Sequence, residues 1–491
     1  MKYYSQNQTE LLNGLKDTLY QLNKDNRWVR LADSLPWAEI EQQYNKCLHN
    51  QRGGAGNKPA RRVVGALIVK HTMNLSDEET IQMIQENPYM QYLVGLTEYQ
   101  TTPIFSSELL TIARKRLGED FFNEVTLMIN RKEVDKKGVQ VADGYIDNDG
   151  EKHSGVMKID ATCTDAEMKY PTDIGLLEDG SREIDRLLSK ICDRLGMCKP
   201  KTNRGQSHSV FVNYTKRKHK GKELRRQTRQ YQIHYLKSDI DRLMTVLSKV
   251  LTDRLMSVIK SKELRNLEAI LNMLAQQEEM LSLGVRSCAN RIVSIFQPHV
   301  RPIIRGKAKA KVEFGAKVGI SVVNGYDYID TISWDAYNES IDLEKQLELY
   351  RKRFGFYPAE IQADKIYLNK ENRALLKKKY ITCHCAPLGR PPKNPDPTQV
   401  TLRAKASGER NAVEAAFGTA KRRYRADNIR AKLPNTAQSW IATCFFVKNL
   451  KKFLQEILFA LFGFLPRFMD ESGVSDSRRN IMPIYCTLIR L

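Results

Sequence analysis

A chain of 491 residues exceeds what one hydrophobic core usually organises, so two or three structural units are expected. Lys and Arg number 79 against 57 Asp and Glu, a net charge of +22 that favours a polyanionic partner over a small neutral ligand. With 41% hydrophobic residues the composition excludes a basic disordered tail and points to a folded protein whose partner is nucleic acid.

The opening MKYYSQNQTELLNGL lacks a basic region followed by an apolar run, so no secretory signal is expected and the chain should act inside the cell. The apolar stretch ILFALFGFLP, 457–466, is about half of the roughly 20 residues a spanning helix needs, so a buried helix and no membrane segment is the expectation. The nine cysteines are odd in number and scattered, unlike a disulfide framework, and read as reduced thiols.

From Leu11 to about Asn130 the pattern is helical, broken by the Gly-rich string 50–59. Arg61 to His71 forms an apolar helix, and Ser76-Asp77-Glu78-Glu79 a capping box that opens the next. Such short helices suit a module that binds DNA ends, and equally a unit that packs on a neighbouring domain. Polar sequence over 136–150 separates this region from Gly155 to Thr162, a strand with Asp160 near its end.

Helical periodicity then dominates from Ser181 to about Ala289, with Leu264, Leu267, Leu271 and Leu274 stepping along one face. Within this block, residues 199–229 hold eleven Lys or Arg and one acid, Glu223, with Phe211 and Tyr214 interleaved. Lys216, Arg217, Lys218, Arg225 and Arg226 are therefore candidate contacts to a DNA backbone, against the bland alternative of a solvated loop.

Strand signals return over 311–332, where Asn324-Gly325 reads as a hairpin turn. A helix is expected over 342–354, a short strand over 359–363 that ends at Asp364, a helix over 370–380 and a further strand over 381–385. Helices over about 408–424 and 436–464 and a weakly structured tail complete the chain.

Cleavage of a phosphodiester with two divalent cations needs carboxylates that hold Mg²⁺ or Mn²⁺ about 3.5–4 Å apart. An alternating core with an acid in its first strand, one after a later strand and one on a following helix can gather three carboxylates at one sheet edge. Asp160, Asp364 and Glu414 hold those places. On the last helix Arg410, Glu414 and Lys421 are spaced by four and seven residues, about one and two turns, so cations flank the carboxylate. A solvated, ion-paired helix face would show the same spacing.

These residues resemble the DDE insertion-sequence transposases, whose helix signature is Arg-x3-Glu-x6-Lys. Arg410 to Lys421 has that spacing, Gln362 to Tyr367 looks like the second-acid strand, and Lys158 to Thr162 looks like the first. Arg61 to Leu96 resembles the family's N-terminal helical domain, and Val312 to Lys317 its second strand. The fuller signature places Tyr three residues before the Arg, where this chain has Ser407.

The resemblance implies an α/β RNase H-like catalytic core over 150–465, interrupted by a helical basic insertion over 176–298. An all-helical N-terminal domain over 1–135 would precede it and a tail over 466–491 follow. It implies a transposase that hydrolyses transposon ends, at terminal inverted repeats, and joins the freed 3′-OH to target DNA. Asp160, Asp364 and Glu414 would be the catalytic acids and hold two Mg²⁺ or Mn²⁺ ions. Arg410 and Lys421 would position phosphates, with Lys365, Arg422, Arg423 and Arg425 meeting DNA beside them. A homodimer on DNA, in a prokaryotic cytoplasm at the nucleoid, follows from the same likeness.

Two rivals stand beside this reading, a nuclease of the same fold that only hydrolyses and a non-catalytic DNA-binding derivative. Asp165, Asp173, Asp327 and Asp330 lie near expected strands and are rival ligands, although strand-adjacent Asp more often forms turns. Cys383-His384-Cys385 offers soft ligands without the second pair a zinc site needs.

Overall fold

The computed structural model of the chain describes residues 19, 22–48, 56–137, 144–250, 257–304, 312–389 and 396–463. Residues 50–55 of the Gly-rich string, part of the polar stretch 136–150, the tail 466–491 and Cys486 lie outside them. Among the described residues no helix is long and apolar enough to cross a membrane, and all eight described cysteines are free thiols.

The first part of the chain is helical: α1 (Arg27–Ser34), α2 (Trp37–Lys46), α3 (Ala60–Met73), α4 (Asp77–Glu86), α5 (Pro88–Leu93), α6 (Glu108–Arg116) and α7 (Glu119–Lys137). Val63 to Val69 of α3 are buried without a break, so this helix runs through the interior instead of lying on it with one stripe. The capping box opening α4 is present, the Glu79 amide donating to Ser76 Oγ at 3.1 Å and the Ser76 amide to Glu79 Oε2 at 2.7 Å.

A two-stranded ribbon, β1 (Tyr145–Ile146) and β2 (Lys152–His153), leads into β3 (Val156–Asp165). After β3 come four long helices, α8 (Asp173–Leu195), α9 (Arg204–Lys216), α10 (Lys222–Leu247) and α11 (Ser261–Ser282). Their buried residues, including Leu187, Ile191, Leu236, Leu243, Leu267 and Ile270, form an apolar cluster separate from the main core. The leucine stripe expected on α11 is split: Leu267 and Leu274 are buried, whereas Leu264 and Leu271 are exposed. Ile270 and Met273 complete the inner face instead, because the buried face is rotated from the leucine stripe, leaving Leu267 and Leu274 at its margin.

The second half builds a mixed sheet. β4 (Arg301–Ile304) and β6 (Tyr326–Ser333) both pair antiparallel with the long β5 (Val312–Val323), which pairs antiparallel with β3, and β3 pairs in parallel with β7 (Glu360–Gln362). Asn324 and Gly325 turn the β5–β6 hairpin with φ of 54° and 79°, the left-handed pair that a two-residue turn requires. Gly315 is needed for a different reason: a Cβ there would lie 1.8 Å from the Thr164 carbonyl oxygen on the adjoining strand.

Between these strands lie a 3₁₀ turn (Glu339–Asp342), α12 (Leu343–Phe354), a second 3₁₀ turn (Lys365–Tyr367) and α13 (Lys370–Lys378). α14 (Pro397–Tyr424) and α15 (Pro434–Gly463) close the chain. Two expectations change here. The strand expected over 381–385 is reduced to one bridge, Thr382 to Glu360, and α14 starts at Pro397, capped by Asp396, a full three turns before Gly408. Gly408 sits exposed inside the helix, where glycine is tolerated at a cost of about 1 kcal/mol and does not mark an end.

One continuous apolar cluster joins the N-terminal helices to the sheet and α15, from Trp28 and Leu67 through Ile159 and Ile320 to Phe445. A third, small cluster of Ala166, Val293 and Val300, with Phe314 and Trp334 against it, lies where the four-helix block leaves and rejoins the sheet.

Candidate active site

Lys158, Asp160 and Thr162 alternate with the buried Met157, Ile159 and Ala161, so they share the β3 face that α14 covers. The parallel register pairs Lys158 with Gln362 at the end of β7, and Asp364, two residues on, is near enough for its charge to add to the upward shift of the Asp160 carboxyl. α14 is docked across both strands by polar contacts. Lys158 Nζ donates to the Glu409 carbonyl at 3.1 Å, and Gln362 Nε2 to Glu409 Oε2 at 2.8 Å.

That docking presents Arg410 to the acids. Its guanidinium lies 3.3 Å from Asp160 Oδ2 and 3.4 Å from Glu414 Oε1, linking the first and third acids through one cation. Asp160 accepts the Ala161 amide on its other oxygen at 2.8 Å. Burial pushes the Asp160 carboxyl up from its ordinary value to about 6; the Ala161 amide and Arg410 oppose the shift, while Glu339 and Asp364 add to it. Asp364 caps the 3₁₀ turn, accepting the Lys365 amide at 2.7 Å.

The three acids thus arrive from β3, from the turn after β7 and from α14. Among the described residues no group of three or more His, Cys, Asp or Glu is closed enough to hold a metal ion as the side chains stand. Arg410 supplies the positive charge between two of the acids. The donors are all carboxylate oxygens, the set a hard divalent cation takes. The chemistry of the residues therefore fits Mg²⁺ or Mn²⁺.

Lys421 is placed elsewhere. It acts on Asp165, at the far end of β3 from Asp160, and opposes the upward shift that burial and Glu313 impose on that carboxyl. Arg422, Arg423 and Arg425 are exposed at the C-terminal end of α14, where Asn74 of the N-terminal region donates to the Arg423 carbonyl at 3.0 Å. Lys365 is exposed beside Asp364. In the helical block Lys216, Arg217, Lys218 and Arg226 are exposed and Arg225 half-buried, with Lys220 over the Tyr214 ring at 5.3 Å. Arg229, at the end of the same basic run, is buried and donates to the Gln277 carbonyl at 3.1 Å, which makes it part of the interior.

The rival acids find other partners. Asp173 pairs with Arg291 at 2.6 Å, Asp327 with Lys448 at 2.7 Å, and Asp330 with Arg353 at 2.6 Å. Cys385 is acidified to about 6 by the Cys383 thiol and by Arg373 and Arg403. Two contributors escaped sequence reasoning. Glu409 neighbours Arg410 and could have been noticed there. Glu339, near enough to raise the Asp160 carboxyl, sits in an aperiodic polar stretch that carries no signal.

Against known proteins, a family profile described as "Transposase DDE domain" matches residues 361–451, and one described as "Transposase domain (DUF772)" matches residues 17–116. The first match contains Asp364, Arg410, Glu414 and Lys421; Asp160 lies outside both. A curated relative, "Uncharacterized protein ORF8 in nfe locus" of Rhizobium meliloti, is 32% identical over 104 residues, 21% of this chain and 49% of that protein. The chain spans about half the length of the curated relative it matches. No solved structure matches.

Proposed function

We propose that this chain, which matches transposase-domain profiles over residues 17–116 and 361–451, is a DDE-type insertion-sequence transposase that cuts transposon ends and joins the freed 3′-OH to target DNA at Asp160, Asp364 and Glu414. The observation that carries the reading is the delivery of these acids from three separate elements to one stretch of the sheet, with Arg410 touching two of them. An RNase H-like core, with the helical block as an insertion and the N-terminal helices as an end-binding domain, is part of the proposal. The strand order β6, β5, β3, β7, with the first acid in β3, supports it.

Asp160, Asp364 and Glu414 would hold two Mg²⁺ or Mn²⁺ ions. Bound there, the ions supply activation of the attacking oxygen and stabilisation of the leaving oxygen. The rest falls to the chain's own residues. The half-buried Asp160 and the docked α14 fix the carboxylates in a partly dry site, where their charge acts strongly. Arg410, freed from the acids, is a planar donor suited to a phosphate beside the scissile bond. Lys421, Arg422, Arg423 and Arg425 would extend a basic track along α14, with Lys365 beside Asp364, and Lys216, Arg217, Lys218, Arg225 and Arg226 would offer a second backbone contact from the helical block. Two ends must meet, so a homodimer on DNA is part of the reading.

The test is cleavage of a labelled duplex carrying the element's own ends, with Mg²⁺ or Mn²⁺, by the natural protein, Asp364→Ala and Glu414→Ala. Cutting by the natural protein alone, with DNA binding retained in both variants, supports the assignment. Cutting without strand transfer favours a hydrolytic nuclease, and identical behaviour of all three proteins refutes the site.

A further inference from the structure

Beside the acids lies a buried polar layer with one loose end. The 3₁₀ turn Lys365–Tyr367 follows Asp364 directly, and its last side chain turns inward, where Tyr367 is fully buried. The Tyr367 hydroxyl has no hydrogen-bond partner among the described residues. A buried polar group left unpaired is destabilising, and phenylalanine would fill the same space without that cost.

The surroundings of this hydroxyl are acidic. Burial above all, and then Glu339, Asp160 and Asp342, disfavour the phenolate and keep the group a proton donor. Glu339 is itself buried and paired with Lys317 at 2.9 Å, and Lys317 also donates to the Tyr337 carbonyl at 2.7 Å. The two 3₁₀ turns are clamped to each other: the Asn372 amide donates to the carbonyls of Ser340 and Tyr367, each at 2.7 Å. Tyr367 is thus held in register with Glu339 on one side and with Asp364, three residues back, on the other.

We infer that Tyr367 is a positioning residue of the acid site, its hydroxyl donating to the Asp160 carboxylate once a divalent cation takes over the side that Arg410 now holds. This rests on the reading of Asp160 and Asp364 as cation ligands. The donor is kept unsatisfied in the cation-free arrangement and becomes satisfied in the loaded one, so binding is favoured by the repair of a buried defect. Hydrogen bonds to the unligated atoms of metal ligands typically contribute 10–100-fold to affinity.

The experiment is a titration of Mn²⁺ into the full chain, without DNA, read by the electron paramagnetic resonance signal of the free ion. It compares the natural protein, Tyr367→Phe and Asp364→Ala, with metal-free thermal melts of each. Tyr367→Phe should bind Mn²⁺ about 10–100-fold more weakly while its metal-free Tm is unchanged or higher. Equal affinity in the natural protein and Tyr367→Phe overturns the inference and leaves the acids as assigned. Weaker binding together with a lower metal-free Tm marks a packing role and overturns it as well. Unchanged affinity in Asp364→Ala refutes the underlying ligand assignment, and the inference falls with it.

Discussion

Arg410→Gln should separate two properties that a simple loss of function would move together. The guanidinium touches Asp160 at 3.3 Å and Glu414 at 3.4 Å, both long for charge-assisted contacts. Glu414 is 59% exposed, so its share is that of a surface pair, and the two contacts together are worth about 1 kcal/mol. A cation entering between these acids must first displace the guanidinium. Glutamine keeps most of the volume and removes the competing charge, so Mn²⁺ affinity without DNA should tighten about fivefold, the equivalent of that 1 kcal/mol. End cleavage should fall at the same time, because the donor proposed for the phosphate is gone. Calorimetric Mn²⁺ titration of both proteins reads the first effect and a labelled-end assay the second. Weaker or unchanged Mn²⁺ binding in the variant would refute the argument that Arg410 stands in for a cation.

The pH dependence follows from the Asp160 carboxyl, which burial lifts to about 6. The folded protein then keeps a proton that the unfolded chain releases near pH 4, so this group lowers stability above about pH 6, and the penalty vanishes below about pH 4. A cation competes with that proton, and Mn²⁺ affinity should be flat above about pH 6 and fall by up to about tenfold per unit below it; a flat profile from pH 5 to pH 7 contradicts the assignment. In the helical block, replacing Lys216, Arg217 and Lys218 together by Ala should reduce the slope of log affinity for duplex DNA against log salt by up to about 2.7. An unchanged slope would mean that DNA does not meet this face.

Most of the site was legible because its signals are local. The Arg410–Glu414 spacing, the β-branched approach to Asp160 and the Asn324-Gly325 turn each work over a few residues, and each is found where the local chemistry puts it. The misreadings arose where tertiary contacts decide. Gly408 looked like a helix boundary, yet the Asp396 cap and Pro397 start the helix earlier and the docking of Glu409 holds it through the glycine. The stretch 381–385 has strand composition, but it meets only Glu360 at the sheet edge and keeps one bridge. Lys421 shares a helix with Arg410, but eleven residues carry it to the level of Asp165. Part of the Asp160 environment was invisible, since Glu339 and Tyr367 come from turns that have no periodicity.

The four helices α8 to α11 leave the sheet and return to it at neighbouring points. Gln297 Nε2 donates to the Glu167 carbonyl at 3.1 Å, so the departing and returning segments touch. A segment whose ends meet closes its own loop and asks little of its host, which is why insertions and deletions at such points are tolerated. With an apolar interior of its own and a small seam of Ala166, Val293 and Val300 as its joint, this block can be removed with little disturbance to the main core. A shortened chain in which a brief linker joins Glu167 to Gln297 should retain the sheet and the acid site.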